Sequence, residues 1–378
     1  MVDGDSGEAM RPAPSKLSAG DRLSSIQALR AIAVFLVILL HIQDNELRAS
    51  ADPVLSEWLT HGRGGVDLFF VISGFVMVWI TTGDRGTRTV GAFLFSRAAR
   101  IYPAVWLFTS LAIIGFVVAG TFNQWAASEN RILFSYLLLP HELGPVLGVS
   151  WTVVHELYFY SVFALFLFLP ARVLPAGLFI WAAIVAAGSL APAPDQKNAW
   201  GVLALSPMTL EFIAGAFVAI ALINWKPHWP GAVAVVGLLF AIMGPLWWGI
   251  GPMDFAGWDR VLVYGAPSVA LVYAAAGMEL AGQLRAPRWM TAIGDISYSL
   301  YLSHLLVIAT LAHLWMRFAL PGPIDNIAMI SIMVAVPLVL AAIVYVAFER
   351  PSVRLAHDIR RSLFGDNHAA KAPQDVKV

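Results

Sequence analysis

The sequence predicts an all-α, polytopic membrane protein with about ten transmembrane helices and both termini in the cytoplasm. Three observations carry that expectation. First, 59% of the 378 residues are hydrophobic and 13% are charged, whereas soluble chains average roughly 45–50% apolar and 25% charged. The 24 basic and 24 acidic side chains are too few to build a charged shell around soluble cores, and the mean hydropathy of +0.73 agrees. Second, apolar stretches able to cross a hydrocarbon layer of roughly 30 Å, about 20 residues of helix, recur along the chain. They fall at 24–43, 65–82, 103–121, 151–169, 173–191, 207–223, 230–250, 259–278, 293–315 and 326–347. Most are apolar all round, without period-two alternation, which fits helices rather than a barrel. Third, alternating the loops puts 17 Lys and Arg on the side that holds both termini and 6 on the other. That bias is what the positive-inside rule asks of an even number of spans with cytoplasmic ends.

Residues 1–23 mix Pro, Ser, Gly and both charges and lack the pattern of a signal peptide, so they read as a disordered cytoplasmic tail. Residues 24–350 form the transmembrane domain. Residues 351–378 form a polar cytoplasmic tail that opens with a short amphipathic helix carrying Arg354, Arg360 and Arg361. The apolar run 132–139 is too short to span and belongs in the interface or against other helices. A net charge of zero removes the electrostatic case for nucleic-acid binding. A Cys count of 0 excludes disulfides, thiolate metal sites and a Cys nucleophile. Any base or nucleophile is therefore an oxygen or one of 9 imidazoles.

A charge near the bilayer centre costs at least about 2.5–3.5 kcal/mol on insertion scales, so each one inside a span needs a partner or a task. Arg30 and His41 share the first span. Their separation returns to within roughly 20° of one helix face and spaces them by about 16 Å. They line one stripe, Arg30 toward the cytoplasm and His41 toward the far side. Singly, Arg30 could snorkel and His41 could mark a boundary; a shared face argues for a joint task. The fourth span, opening at Trp151, places His155 and Glu156 about one turn inside, near the depth of His41. A carboxylate beside an imidazole suits general-base work on a hydroxyl; the alternative is an acid that ties two helices together.

On the ninth span Ser297, Tyr301 and His304 recur at i, i+4 and i+7, a polar side fit for a channel lining or for helix contact. In the second span Asp67 stands near the outer entrance, with Ser73 and Gly74 deeper. Gly74 reads as close packing. Glu211 is a buried acid with no partner evident in the sequence. In the cytoplasmic loop before the third span, Arg97 and Arg100 stand one turn apart. Two such guanidiniums can grip a phosphate, although the positive-inside bias alone also explains them.

Together these segments resemble the acyltransferase-3 family of bacterial integral-membrane acyltransferases, most closely its exopolysaccharide O-acetyltransferase branch, over nearly the whole chain. The matching elements are the Arg30 to His41 spacing, Gly65-Val-Asp-Leu-Phe-Phe-Val-Ile-Ser-Gly-Phe75, Arg97-x-x-Arg100-Ile-Tyr102-Pro and the Trp151 to Tyr160 block. Ser297-Tyr298-Ser-Leu-Tyr301-Leu-Ser-His304 and Phe348-Glu-Arg-Pro351 complete the set. The resemblance implies transfer of an acetyl group from acetyl-CoA, a donor substrate rather than a tightly bound cofactor, to a sugar hydroxyl of a surface glycan or its lipid-linked precursor. It implies the bacterial cytoplasmic membrane, no metal, contact with membrane lipid, and leaves homo-oligomerisation open.

The catalytic candidates are His41, Glu156, Arg30 and Asp67. Arg97, Arg100, Arg30 and Tyr102 are candidates for the acyl-CoA, and Ser73, His155, Tyr298, Tyr301 and His304 for the acceptor path. His41, oriented by Glu156 or Asp67, would deprotonate the acceptor or take the acetyl group itself. Some relatives carry a fused extracytoplasmic hydrolase-like domain; without one, this chain is expected to finish the transfer or hand over to a separate protein. A secondary transporter or flippase of a glycan precursor is the competing class. It would show inverted repeats, and the spans with internal Pro (Pro245, Pro267, Pro337) show no such self-similarity.

Overall fold

A computed structural model describes residues 21–50, 52–82, 86–122, 129–191, 198–248, 257–320 and 322–365. Ten helices among them are long and apolar enough to cross a membrane, and no strand occurs among the described residues. The spans are built on α1 (Ser24–Ala49), α2 (Gly64–Ile80, entered through a 3-10 turn from Glu57), α3 (Thr87–Val118), α5 (Trp151–Phe166) and α6 (Leu174–Leu190). They continue with α7 (Thr209–Asn224), α8 (Pro230–Trp248), α9 (Ala266–Leu280), α10 (Arg288–Phe318) and α11 (Pro323–Val344). A helix satisfies its own backbone in lipid, which the apolar, Gly- and Ala-rich spans require. The tail read at 1–23 lies outside the described residues up to position 20.

The stretch before the third span is not the loop expected of it. Residues from Thr87 onward are helical and run through Pro103 into the span. Pro103 removes one backbone donor but leaves the helix continuous, so Arg97 and Arg100 ride on a rigid element. The short helix α4 (Glu129–Leu137) packs on α3. The Tyr102 hydroxyl donates to the Leu137 carbonyl (3.1 Å), the Trp106 indole to the Tyr136 carbonyl (3.0 Å), and Ser110 meets the Tyr136 hydroxyl at 2.7 Å. Arg131 then donates to the carbonyls of Gly144 and Leu143 at 3.0 and 3.1 Å. It thereby satisfies non-helical backbone that has no ladder of its own.

Two close approaches fix the bundle. α1 lies along α10, where a Cβ on Gly294 would fall 2.2 Å from the Gln27 carbonyl oxygen. α2 lies along α7, where a Cβ on Gly74 would fall 1.8 Å from the Phe212 carbonyl oxygen. Gly74 is therefore a packing residue, and Gly74→Ala must push the two backbones apart. The expected cost is about 2–3 kcal/mol, read as a lower unfolding midpoint of the detergent-solubilised protein; an unchanged midpoint would contradict this packing.

Two π turns interrupt the helices, Val261–Gly265 ahead of α9 and Tyr345–Glu349 after α11. Such turns insert one residue and often accompany functional sites; here each borders a buried charge, Arg260 and Glu349. Beyond the second π turn the chain continues as α12 (Arg350–Phe364), which packs on α3.

Candidate active site

A cavity opens between α1, α2, α3, α5 and α10. Arg30, Arg97, Arg100 and Glu156 line it, with Ser73, Tyr160, Ser297, Tyr298 and Tyr301. Each group is held by its neighbours. The Arg30 guanidinium donates to Ser297 Oγ at 3.2 Å, and that hydroxyl donates to the Gly294 carbonyl at 2.8 Å. Glu156 Oε1 accepts from Ser73 Oγ at 3.0 Å and from the Tyr160 hydroxyl one turn on. Arg97 stacks over Phe93 and Tyr160, 5.8 Å from each ring centroid, while its Nε is buried without a hydrogen-bond partner. Tyr298 donates to the Ile101 carbonyl at 3.1 Å and so ties α10 to α3.

Three guanidiniums thus line the cavity against the single carboxylate of Glu156. A second acid stands close by: Glu349, buried by its π turn, accepts from Ser299 Oγ at 2.5 Å, and its charge reaches Arg30. Low local dielectric makes an uncompensated cation costly and an incoming anion correspondingly welcome.

His41 lies beyond this cavity, against His304 of α10, with ring centroids 5.2 Å apart. His304 is fully buried. Its Nδ1 sits 2.6 Å from the Tyr301 carbonyl, which can only accept, so Nδ1 carries the proton. Its Nε2 is then a bare lone pair, buried with no partner. Tyr301, whose ring is 5.6 Å from His304, also lines the cavity, so it is the wall shared by the cationic chamber and the imidazole pair. Tyr301 is itself fixed by Thr152, whose hydroxyl lies 3.0 Å from its own.

Of the residues singled out from sequence, Arg30, Arg97, Arg100, Ser73, Glu156, Tyr298 and Tyr301 line one cavity, and His41 and His304 pair beside it. Three others go elsewhere. Tyr102 bonds the α4 backbone, and His155 sits in an aromatic cage of Phe70, Trp151 and Phe159 with Nε2 unpartnered. Asp67 holds Arg260 in a two-pronged, fully buried ion pair, Nε to Oδ1 at 2.9 Å and Nη2 to Oδ2 at 2.8 Å. The expectation that Glu156 or Asp67 orients His41 is therefore corrected. The oxygens of Asp67 belong to Arg260 and Oε1 of Glu156 to Ser73 and Tyr160, while the ring beside His41 is His304.

Sequence reasoning gave no role to Arg260, which pairs with Asp67 and whose charge also reaches the unassigned Glu211. It also gave no role to Glu349, whose signal was an acid at the end of the last span.

The helical bundle thus buries a cationic chamber beside an imidazole pair. The acyltransferase-3 family model, described as an acyltransferase domain, matches residues 23–346, and the chain belongs to that family. It is thus a multi-pass membrane acyltransferase. It is 33% identical over 313 residues to the exopolysaccharide production protein ExoZ of Rhizobium meliloti, covering 78% of this chain and 90% of that one. It is 26% identical to the acyltransferase MdmB of Streptomyces mycarofaciens, covering 88% and 92% of the two chains. Nodulation protein 10 of Rhizobium leguminosarum bv. viciae is 24% identical, covering 90% and 96%. No solved structure matches the chain.

Proposed function

We propose that the protein carries an acetyl group from acetyl-CoA, bound from the cytoplasm, to a hydroxyl of an exported polysaccharide or its lipid-linked precursor, in the bacterial cytoplasmic membrane. The observation that carries this reading is the order of groups along α1. Arg30 opens on the three-guanidinium chamber, and His41 follows about 16 Å along the same face, opposite Ser297 and His304 of α10. That spacing suits a donor with phosphates at one end of a long arm and a thioester at the other. The kinship with an exopolysaccharide production protein supports the acceptor class, and the basic bias toward the termini supports cytoplasmic entry.

In this reading Arg97 and Arg100 hold the donor phosphates and Arg30 guides the arm past Ser297 and Tyr301. His304, with its proton fixed on Nδ1 by the Tyr301 carbonyl, leaves an unpartnered Nε2 beside the His41 ring, and Nδ1 of His41 lies 3.8 Å from Asp44 Oδ2. A proton on Nδ1 facing that carboxylate would leave Nε2 of His41 as the base. His41 takes the acceptor proton as the hydroxyl oxygen attacks the thioester carbonyl; the C–O bond forms, the C–S bond breaks, and the CoA thiolate leaves. In the covalent version the His41 nitrogen attacks first, and the acetyl-imidazole passes its acyl group to the hydroxyl.

The test is titration of the detergent-solubilised protein with acetyl-CoA. Binding is expected, and Arg97→Gln should weaken it about tenfold or more, the worth of a charge-assisted phosphate contact. A wild-type protein that binds no acetyl-CoA would overturn the reading. Acetylated His41 recovered after mixing with acetyl-CoA alone selects the covalent version.

A further inference from the structure

We infer that Asp44 and Arg48, at the end of α1 far from Arg30, form the subsite that grips the acceptor sugar and presents its hydroxyl to His41. This inference rests on the reading of an acetyl-CoA donor that enters from the cytoplasm.

The argument starts from the face of α1 that carries the chemistry. With Arg30 taken as zero on the helix wheel, His41 lies at roughly 20°, Asp44 at roughly −40°, and Arg48 returns to about 0°. One stripe carries all four. At about 1.5 Å per residue it runs about 27 Å from Arg30 to Arg48, close to the roughly 30 Å of a hydrocarbon layer. The chamber end and the Arg48 end therefore stand near opposite faces of the membrane. Lipid meets a different side of α1: the exposed apolar residues Ile32, Leu36 and Leu47 centre about 120° from the stripe.

Exposure decides what the stripe opens onto. His304 is fully buried against His41, yet the His41 side chain is 26% exposed and that of Asp44 38%. Arg48 is exposed as well. None of these three stripe residues lines the donor chamber, so His41 is reached from a second side. A carboxylate and a guanidinium turned away from the lipid side, at a membrane boundary, open onto water. Asp44 Oδ2 lies 3.8 Å from His41 Nδ1, which leaves Oδ1 to accept from a sugar hydroxyl. Arg48, one turn further out, supplies donors for oxygens of the same sugar, so the two together match both halves of hydroxyl chemistry. Asn45 is committed elsewhere, its amide donating to the His41 carbonyl at 2.7 Å.

The experiment uses full-length protein as the sole copy in cells, with two readouts: incorporation of radioactive acetate into the exported glycan over a short pulse, and acetyl-CoA affinity of the solubilised protein. Asp44→Asn and Arg48→Gln should each slow incorporation about tenfold or more, the worth of a charge-assisted hydrogen bond, and leave acetyl-CoA affinity within a few-fold of wild type. Arg48→Lys should keep part of the rate. Because the chain has no cysteine, Arg48→Cys can also be treated in intact spheroplasts with a membrane-impermeant sulfonate thiol reagent. It should label and lose its residual incorporation, whereas Ile32→Cys, on the lipid side, should not label. If Asp44→Asn slows incorporation and Arg48→Gln does not, Asp44 serves His41 alone and the subsite is refuted. Loss of acetyl-CoA affinity in step with the rate, or labelling of Arg48→Cys from the cytoplasmic side only, also overturns it. Unchanged incorporation in both variants sinks the inference while the donor reading stands. A wild-type protein that binds no acetyl-CoA fells the donor reading itself.

Discussion

Replacing His41 by Ala should lower acetyl transfer about a thousandfold or more, the upper part of the range for removal of a positioned base or nucleophile, and leave acetyl-CoA affinity within a few-fold of wild type. The separation follows from distance along α1: the groups proposed to hold the phosphates line the chamber around Arg30, and His41 lies beyond its wall at Tyr301. A base must be unprotonated to act, so the wild-type rate rises with pH through the titration of His41, and that acid limb should vanish in His41→Ala. His304→Gln tests the partner. It removes the buried lone pair at Nε2 and should cost about ten- to a hundredfold in kcat with little change in KM, as a positioning residue does. Equal losses in kcat and affinity would assign His304 to packing instead.

The second large effect is on stability. Asp67→Ala strands the Arg260 guanidinium, which is buried and donates to both Asp67 oxygens. Breaking a buried pair by removing one partner costs about 3–5 kcal/mol, whereas replacing both by apolar groups is often neutral. Asp67→Ala should therefore unfold or fail to accumulate, and Asp67→Leu with Arg260→Met should recover much of the loss, measured as unfolding midpoints in detergent. If the double variant also binds acetyl-CoA normally, the pair is an architectural clamp between α2 and the start of the eighth span. If the single variant is as stable as wild type, the pairing described here is wrong.

Much of the bundle was legible because its solvent dictates its pattern. Apolar runs of spanning length have few alternatives to helix, so the ten spans stand out. The face shared by Arg30 and His41 was legible because helix periodicity is rigid over a few turns, and α10 meets that face with Ser297 and His304.

Tertiary pairing was not legible in the same way. Asp67 lies 193 positions from Arg260, and nothing local distinguishes a carboxylate aimed at a histidine from one aimed at a distant arginine. The helix through Pro103 was hidden for a different reason. A charged, amphipathic stretch next to a proline reads as loop when neighbours are unknown, yet packing of α3 against α5 and α12 holds it helical. Glu349 was hidden by its π turn, a one-residue shift that periodicity cannot anticipate.

The central claim is a path from the guanidinium chamber along α1 and α10 to His41. The chain has no cysteine, so single cysteines can report where the CoA sulfur arrives. Single-cysteine variants at positions 297, 301 and 67 would be mixed with CoA disulfide, and mixed-disulfide formation read as a mass increase on the intact protein. The account predicts that Ser297→Cys and Tyr301→Cys acquire CoA, that Arg97→Gln suppresses it in both, and that Asp67→Cys paired with Arg260→Met does not acquire it. Labelling at position 67 with none at 297 and 301 would contradict it.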